Sequence, residues 1–274
     1  MFNETPIRKG GKEMKKYFVV ADVHGFYDEM ITALNNAGYD RNNPDHIFVS
    51  LGDAFDRGNQ ANEVLDFLTQ IPEDRRIFIL GNHELLMDEA LHRRSFLYHD
   101  MTNGTKSTAY QIGEAFHDED ACINTLNDWR WKEYFNSCVF YAEVGDNIFV
   151  HGWIPCDIHP GYYGERYIYN PGWKDAPISE WKEATWRNGM EAWNNGVKIP
   201  GKTIWCGHWH TSWGHQMLHR DGVQFLSKAS DWEKELYGNY EKFTPFEDDG
   251  ICAMDACTVY SHIVNCKTIE VNSL

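Results

Sequence analysis

Short apolar runs recur along the first half of the chain, each followed by a stretch whose apolar residues fall at helical spacing. YFVVADV (17–23) leads into YDEMITALNNAG, HIFVSLGD (46–53) into NEVLDFL, and RIFILGNH (76–83) into ELLMDEALHRR. Runs that are apolar at consecutive positions suit strands covered on both faces, and their alternation with amphipathic helices predicts parallel βαβ units. Gly38 closes the first helix, as glycine does where the chain must turn left-handed. Further strands are predicted at NIFVHG (147–152), KTIWCGHWH (202–210), GVQFLS (222–227), GICAMDA (250–256) and HIVNCKTIEV (262–271), the last three reading as antiparallel. Residues 94–137 read as mostly helical, with a turn at TNGT (102–105), and no repeat or low-complexity tract occurs.

The stretch 153–201 is harder to place, being rich in Pro, Gly, Trp and Tyr. Ten of the eleven tryptophans fall between Trp129 and Trp213. Either the rings pack irregular loops onto the sheet, or they form a wall or lid around a ligand. A chain of 274 residues, 42% hydrophobic and 24% charged, reads as an ordinary globular protein. The expected organisation is a flexible polar N-terminal extension at 1–16 and one domain over 17–274. MFNETPIRKGGKEMKK lacks the apolar stretch of a secretory signal, and Met14 could serve as a second start. No apolar run approaches the roughly 20 residues of a membrane helix, so a cytoplasmic location without membrane partners is expected.

Charge narrows the partners. A net charge of −16 disfavours a long nucleic acid, which demands a basic face. It leaves room for a small phosphate-bearing substrate whose charge is met locally by metal ions. Cys122, Cys138, Cys156, Cys206, Cys252, Cys257 and Cys266 are odd in number and form no CxxC pair. They read as reduced thiols rather than a zinc ribbon or a disulfide framework.

The chemistry collects where the strands end. Asp22 and His24 follow the first, Asp53 the second, Asn82 and His83 the third, His151 the fourth, and His208 and His210 the fifth. A lone histidine of this kind is ordinarily a hydrogen-bonded core residue. Five strand ends in succession that each deliver Asp, Asn or His form a pattern, because oxygen and imidazole donors suit Mn, Fe or Zn. In an open α/β sheet the carboxyl ends of the strands share one edge, so these side chains can converge. Asp53, in the middle, is placed to bridge two metals about 3.5–4 Å apart.

These residues carry a resemblance. DVHG (22–25), GDAFDRG (52–58), GNHE (81–84), HG (151–152) and GHWH (207–210) resemble the ordered motifs of calcineurin-like metallophosphoesterases. GDxxDRG followed by GNHE is similar to the phosphoprotein-phosphatase branch, especially its bacterial and phage members and the related diadenosine tetraphosphatases. NGTKSTAYQIG (103–113) resembles a segment that follows GNHE there. GICAMDACTVY (250–260) resembles the closing strand motif, with Ala256-Cys257 where Thr-Gly is usual. The resemblance implies a β-sandwich of two mixed sheets flanked by helices. It implies Asp22 and His24 on a first metal, Asp53 as bridge, and Asn82, His151 and His208 on the second. His210 would join the first metal in the phosphodiesterase pattern. Manganese is the expected ion, with iron or zinc as alternatives. A second phosphate clamp is expected in a Trp-containing segment, with Arg187 in ATWRNGM (184–190) as candidate and Arg166 as fallback.

The remaining polar residues of GDAFDRG have roles that need no family name. Arg57 offers a forked, permanently charged donor to phosphate oxygens, beside Asn82. Asp56 lies too far along the turn to share the ligand role of Asp53. As a partner for His83 it would fix the imidazole tautomer and stabilise its protonated form, and His83 would protonate the departing oxygen. The competing reading is a polar surface turn.

Other apparent motifs fail. HELLM (83–87) has Met87 where a zincin needs its second histidine, NPGWK lacks GK[ST], and no GxSxG occurs. His92, His99, His117, His159, His215, His219 and His262 have no motif context and are read blandly. The expected function is a dinuclear phosphoesterase acting on phosphomonoesters by direct attack of a metal-activated hydroxide. Protein phosphoserine or phosphothreonine is the first expected substrate, and a dinucleoside polyphosphate or other nucleotide the second. An inactive phosphate-binding module is the rival, opposed by the presence of His83, Asp56 and Arg57.

Overall fold

Strand β1 (Met14–Val20) shows how the layers form in the computed structural model, which describes residues 14–115, 118–127, 130–161, 164–222 and 242–272. Successive side chains on a strand point to opposite faces. Phe18 and Val20 therefore join a core shared with helices on one face, while Val19 and, just past the strand, Ala21 join a second core on the other. Met14, Lys15 and Lys16, expected in the extension, belong to β1 and pair with Asn272, Val271 and Glu270. Backbone pairing carries the strand beyond its apolar part. Residues 1–13, His117, Trp129 and nearly all of the expected strand GVQFLS lie outside the described residues.

The first sheet runs β12 (Cys266–Asn272), β1, β2 (His46–Ser50), β3 (Arg76–Ile79), β4 (Cys138–Val139). β1 to β4 are parallel, and β12 is antiparallel at the edge. Val20 stands opposite Ser50, and Ser50 opposite Phe78, so three parallel strands end at one level. The second sheet runs β10 (Phe246–Asp248), β11 (Ile251–Ala253), β9 (Thr203–Cys206), β6 (Asn147–Phe149), β5 (Ala142–Val144). GICAMDA forms β11, which is antiparallel to β10 but parallel to β9, a correction to its expected character. Gly250 (φ +86°) supplies the reversal between β10 and β11.

Between the sheets, Val19, Val49, Leu51 and Ile79 meet Phe149, Trp205, Cys252 and Met254. Helices α1 (Tyr27–Ala37), α2 (Ala61–Thr69) and α3 (Asn82–Arg93) cover the outer face of the first sheet. Four more follow as expected for 94–137: α4 (Tyr98–Asn103), α5 (Thr105–Gly113), α6 (Glu119–Leu126) and α7 (Arg130–Ser137). The architecture is the expected sandwich of two mixed sheets flanked by helices.

Residues 153–201 are more regular than their composition suggests. They form a hairpin, β7 (Cys156–Gly161) and β8 (Gly164–Tyr169), then α8 (Ile178–Ala184) and α9 (Gly189–Asn194) over the second sheet. Trp153, Trp173, Trp181 and Trp193 are buried there, and Tyr141 stacks on Trp181 at 5.1 Å. Packing accounts for most of the aromatic region. All seven cysteines are free. No helix among the described residues is long and apolar enough to cross a membrane.

Candidate active site

The loops leaving the aligned strands adopt an unusual backbone. Asp22 (φ 49°), His24 (52°), Asp53 (52°), Asp56 (73°), Arg57 (64°) and His208 (66°) all lie in the left-handed region. Each such residue costs about 1–3 kcal/mol and persists only where its surroundings over-determine it. Here the loops hold one another: His24 N donates to Asp53 O at 2.9 Å and Gly25 N to Ala54 O at 2.9 Å. Glu84 completes the frame. Its Oε2 accepts from Asp53 N and Gly81 N, and its Oε1 from Ala54 N, all at 2.9 Å, with Tyr134 Oη at 3.2 Å. A Cβ at Gly81 would fall 2.2 Å from Asp53 Oδ1, so glycine is required there. Sequence reasoning quoted GNHE without giving Glu84 a role. Its place in the first turn of α3, reaching back to Gly81, was the available signal.

Asp53 is the hub. Its Oδ2 lies 3.9 Å from both His24 Nε2 and His83 Nε2, and its Oδ1 3.3 Å from His151 Nε2. Donor atoms of His24, Asp53 and His83 form one close group, and those of Asp53, His151 and His208 a second, within 4.8 Å in each. Three histidines are braced from behind by carbonyls: His24 Nδ1 by Phe55 O (2.8 Å), His151 Nδ1 by Leu51 O (2.7 Å) and His208 Nε2 by Trp186 O (3.0 Å). A carbonyl only accepts, so these outer nitrogens carry hydrogen and the inner ones are free to ligate. Inner nitrogens gathered about one carboxylate require positive charge between them, which fits two cations sharing Asp53.

The electrostatics state the same demand. Burial alone would depress His151, but the Asp53 carboxylate overrides it and lifts the pKa to about 10. Burial and then the neighbouring His151 push His208 down to about 3. Without metal, a proton at His151 supplies the missing charge. Asn82 Oδ1 lies 2.9 Å from His151 Nε2, inside the second group. Asp22 and His210 stand outside both groups among the described residues. The Asp22 carboxylate accepts from His208 N at 3.0 and 3.1 Å, and burial followed by Asp255 raises its pKa well up. His210 Nε2 is 3.9 Å from Asp255 Oδ2. Asp255, a buried carboxylate on the cleft, was not singled out from its motif.

Asp56 and His83 form the expected pair, with Nδ1 to Oδ2 at 2.7 Å. Helix α5 explains the segment NGTKSTAYQIG: Thr105 Oγ1 donates to Asp56 Oδ2 (2.8 Å), and Thr108 Oγ1 accepts from Asp56 N (3.0 Å). Burial would lower the His83 pKa, but Asp53 and then Asp56 outweigh it and raise it. Arg57 Nη2 reaches within 3.4 Å of His83 Nε2.

Arg57, His83, His208 and His210 line a cleft over Asp53, with Trp186 at its rim. Trp186 is 45% exposed, and its ring meets His208 edge-on at 5.8 Å. Arg187 does not line this cleft. Buried at the end of α8, it turns beneath the wall, with Nη1 3.2 Å from Cys156 Sγ and 3.5 Å from Ile154 O. The backbone directs it there, because Arg187 N bonds Ala184 O while Trp186 O is committed to His208. Arg166, exposed on β8 opposite His159, does not line it either. Arg57 is the one arginine or lysine among the described lining residues.

Two groups of imidazole and oxygen donors that share one carboxylate, beside a His–Asp pair, form a site that could hold two cations. Residues 15–212 match the calcineurin-like phosphoesterase family, and the chain belongs to it. It is 29% identical over 115 residues to an asymmetrical bis(5'-nucleosyl)-tetraphosphatase of Bacillus subtilis, covering 39% of this chain and 46% of that one. A symmetrical bis(5'-nucleosyl)-tetraphosphatase of Buchnera aphidicola is 29% identical over 113 residues, 41% of this chain and 37% of its own. The chain thus spans less than half the length of these curated relatives. A solved structure provisionally named a diadenosine tetraphosphatase superposes with a TM-score of 0.50 over 95% of this chain and 94% of that one. At 11% identity, that likeness is one of fold.

Proposed function

We propose that the protein hydrolyses dinucleoside polyphosphates, rather than the phosphoprotein that its sequence first suggested. Asp22, His24 and Asp53, with His210 beside them, would hold one ion, and Asp53, Asn82, His151 and His208 the other. Manganese is the expected ion, and iron or zinc also suits these donors. When bound, such ions neutralise phosphate charge and supply an activated water. Arg57 clamps the free phosphate oxygens. His83, oriented by Asp56, gives its Nε2 proton to the oxygen that departs.

One observation carries the choice of substrate. Trp186 presents a large, half-exposed ring at the rim, next to His208. A nucleobase stacked on an aromatic side chain gains about 1–3 kcal/mol, and the names of the relatives support the same reading. The His83–Asp56 pair favours a second reading, phosphoserine or phosphothreonine, because an alkoxide leaving group needs a proton most.

The test compares kcat/KM on diadenosine tetraphosphate and on a phosphoserine peptide, with Mn²⁺. The dinucleotide should be preferred. Trp186→Ala should lower its kcat/KM roughly 5–150-fold, the rate equivalent of the stacking energy, and leave nitrophenyl phosphate unaffected. A preference for the peptide, indifferent to Trp186→Ala, would refute the proposal.

A further inference from the structure

Beyond the GHWH loop, α10 (Thr211–Gly214) runs into a widened, π-helical turn, His215–His219. Such turns are rare and gather at functional sites. His215 and His219 share a face of it, and Asp221 folds back beside them. One ring nitrogen of each histidine and one oxygen of Asp221 lie within 4.8 Å of one another. All three stand apart from the residues that line the catalytic cleft.

The hydrogen bonds of His215 call for a cation. This residue is 4% exposed, with Nε2 3.0 Å from the Thr244 carbonyl oxygen and Nδ1 2.9 Å from Asp221 Oδ1. The carbonyl can only accept, so Nε2 carries the hydrogen of a neutral ring. Nδ1 is then a bare lone pair aimed at a carboxylate oxygen. Two acceptors hold that distance only with a positive charge between them. An imidazole whose far N–H is fixed by a backbone carbonyl is also the arrangement that metal-ligating histidines adopt. His219 is braced in turn, its Nε2 3.0 Å from Asp248 Oδ2. Lys242 Nζ bonds the outer oxygen of Asp221, Oδ2, and leaves Oδ1 facing inward.

We propose that His215, His219 and Asp221 hold a zinc ion outside the catalytic centre, clipping the turn after the GHWH loop to the returning chain at Thr244. Two imidazoles and a carboxylate, with water in the fourth position, are donors that zinc accepts. Zinc bonds of about 2.0–2.1 Å set neighbouring ligand atoms roughly 3.4 Å apart. Rotation of the partly exposed His219 and Asp221 side chains supplies the adjustment to that spacing from the present one, in which His215 Nδ1 and Asp221 Oδ1 are 2.9 Å apart and all three donor atoms lie within 4.8 Å. Hydrogen bonding to Lys242 holds the Asp221 carboxyl below its usual range, and bonding to His219 does the same for Asp248, so both stay ionised near neutrality. Lys242 competes with the metal for Asp221.

Full-length protein saturated with zinc, then freed of excess by dialysis, gives the test by mass-spectrometric metal counting. The wild type should retain one zinc per chain more than His219→Ala or Asp221→Asn. Zinc should also raise its unfolding midpoint more than theirs, and Lys242→Met should bind zinc several-fold more tightly. Hydrolysis of nitrophenyl phosphate under manganese should be unchanged in all three variants. Asp221→Asn, at a partly exposed position, carries the test if His219→Ala does not fold. Equal zinc in the wild type and the folded variants would overturn the proposal. Loss of manganese-supported hydrolysis along with the zinc would overturn it equally, by assigning that ion to the catalytic centre.

Discussion

Replacing His83 by alanine should sort substrates by their leaving groups. The imidazole is 4% exposed and bonded at 2.7 Å to Asp56, and the two aspartates outweigh its burial and raise its pKa, favouring the protonated form. A phosphoserine ester expels an alkoxide, and losing a positioned acid costs about 10²–10⁴-fold, or roughly 3–5 kcal/mol of barrier. A nitrophenyl ester expels a phenolate that leaves unaided, so its loss should stay under about tenfold. A dinucleoside tetraphosphate, whose leaving group is a nucleotide phosphate with a pKa of about 6, should lose as little as the nitrophenyl ester. Asp56→Asn keeps the bond from Thr105 but removes a charged partner, worth about 1.5–3 kcal/mol, so roughly 10–150-fold on the alkoxide substrate. The assay is kcat/KM on all three substrates for both variants, with bound metal counted in each. Equal losses across the substrates, or metal lost with activity, would refute the acid and make His83 a ligand, a role its closeness to His24 and Asp53 also allows.

Asp53→Asn should abolish turnover and reduce bound metal toward one ion or none; full occupancy with normal turnover would remove the shared bridge. Because the His151 pKa is raised to about 10 without metal, a proton must leave when a cation enters. Mn²⁺ affinity should therefore tighten roughly tenfold per pH unit between about pH 7 and 9, with calorimetry detecting the released proton; a flat profile would contradict it. The same raised pKa stabilises the metal-free fold below the unfolded value of about 6.5, and that contribution should fade as pH rises toward 10, lowering the urea midpoint. Glu84→Gln puts an amide donor in place of one of the two oxygens that accept from the three backbone N–H groups and should cost about 2–4 kcal/mol in denaturant unfolding; a change within 0.5 kcal/mol, inside the usual surface range, would mean that the loops stand without it.

The parallel half of the fold was legible because its strands are covered on both faces and so carry long apolar runs, as in YFVV and IFIL. Residues 153–201 were not. Helices α8 and α9 have seven and six residues, too few for a helical period to show, and glycine and proline around them mimic a loop. The candidate site residues at strand ends stood out in the sequence because each sits next to an apolar run at a repeated position. Glu84, Thr105, Thr108 and Asp255 escaped because their work is to hold other residues, which spacing along a chain does not encode. Arg187 misled for a related reason. Its neighbour Trp186 does line the cleft, but one step along the chain turns the next side chain the other way.

The left-handed backbone at Asp22, His24, Asp53, Asp56, Arg57 and His208 sets heat resistance against activity. Glycine at any of these positions would relieve local strain by about 1–2 kcal/mol, at the expense of a side chain to which the proposed chemistry is assigned. Selection for thermal stability alone would push the chain toward glycine at its own site residues. Ancestors or engineered variants chosen only for robustness would be expected to drift into well-folded, inert scaffolds. The chain is stable enough to fold despite six such residues, and the reserve resides in the two aromatic cores on either side of the sandwich.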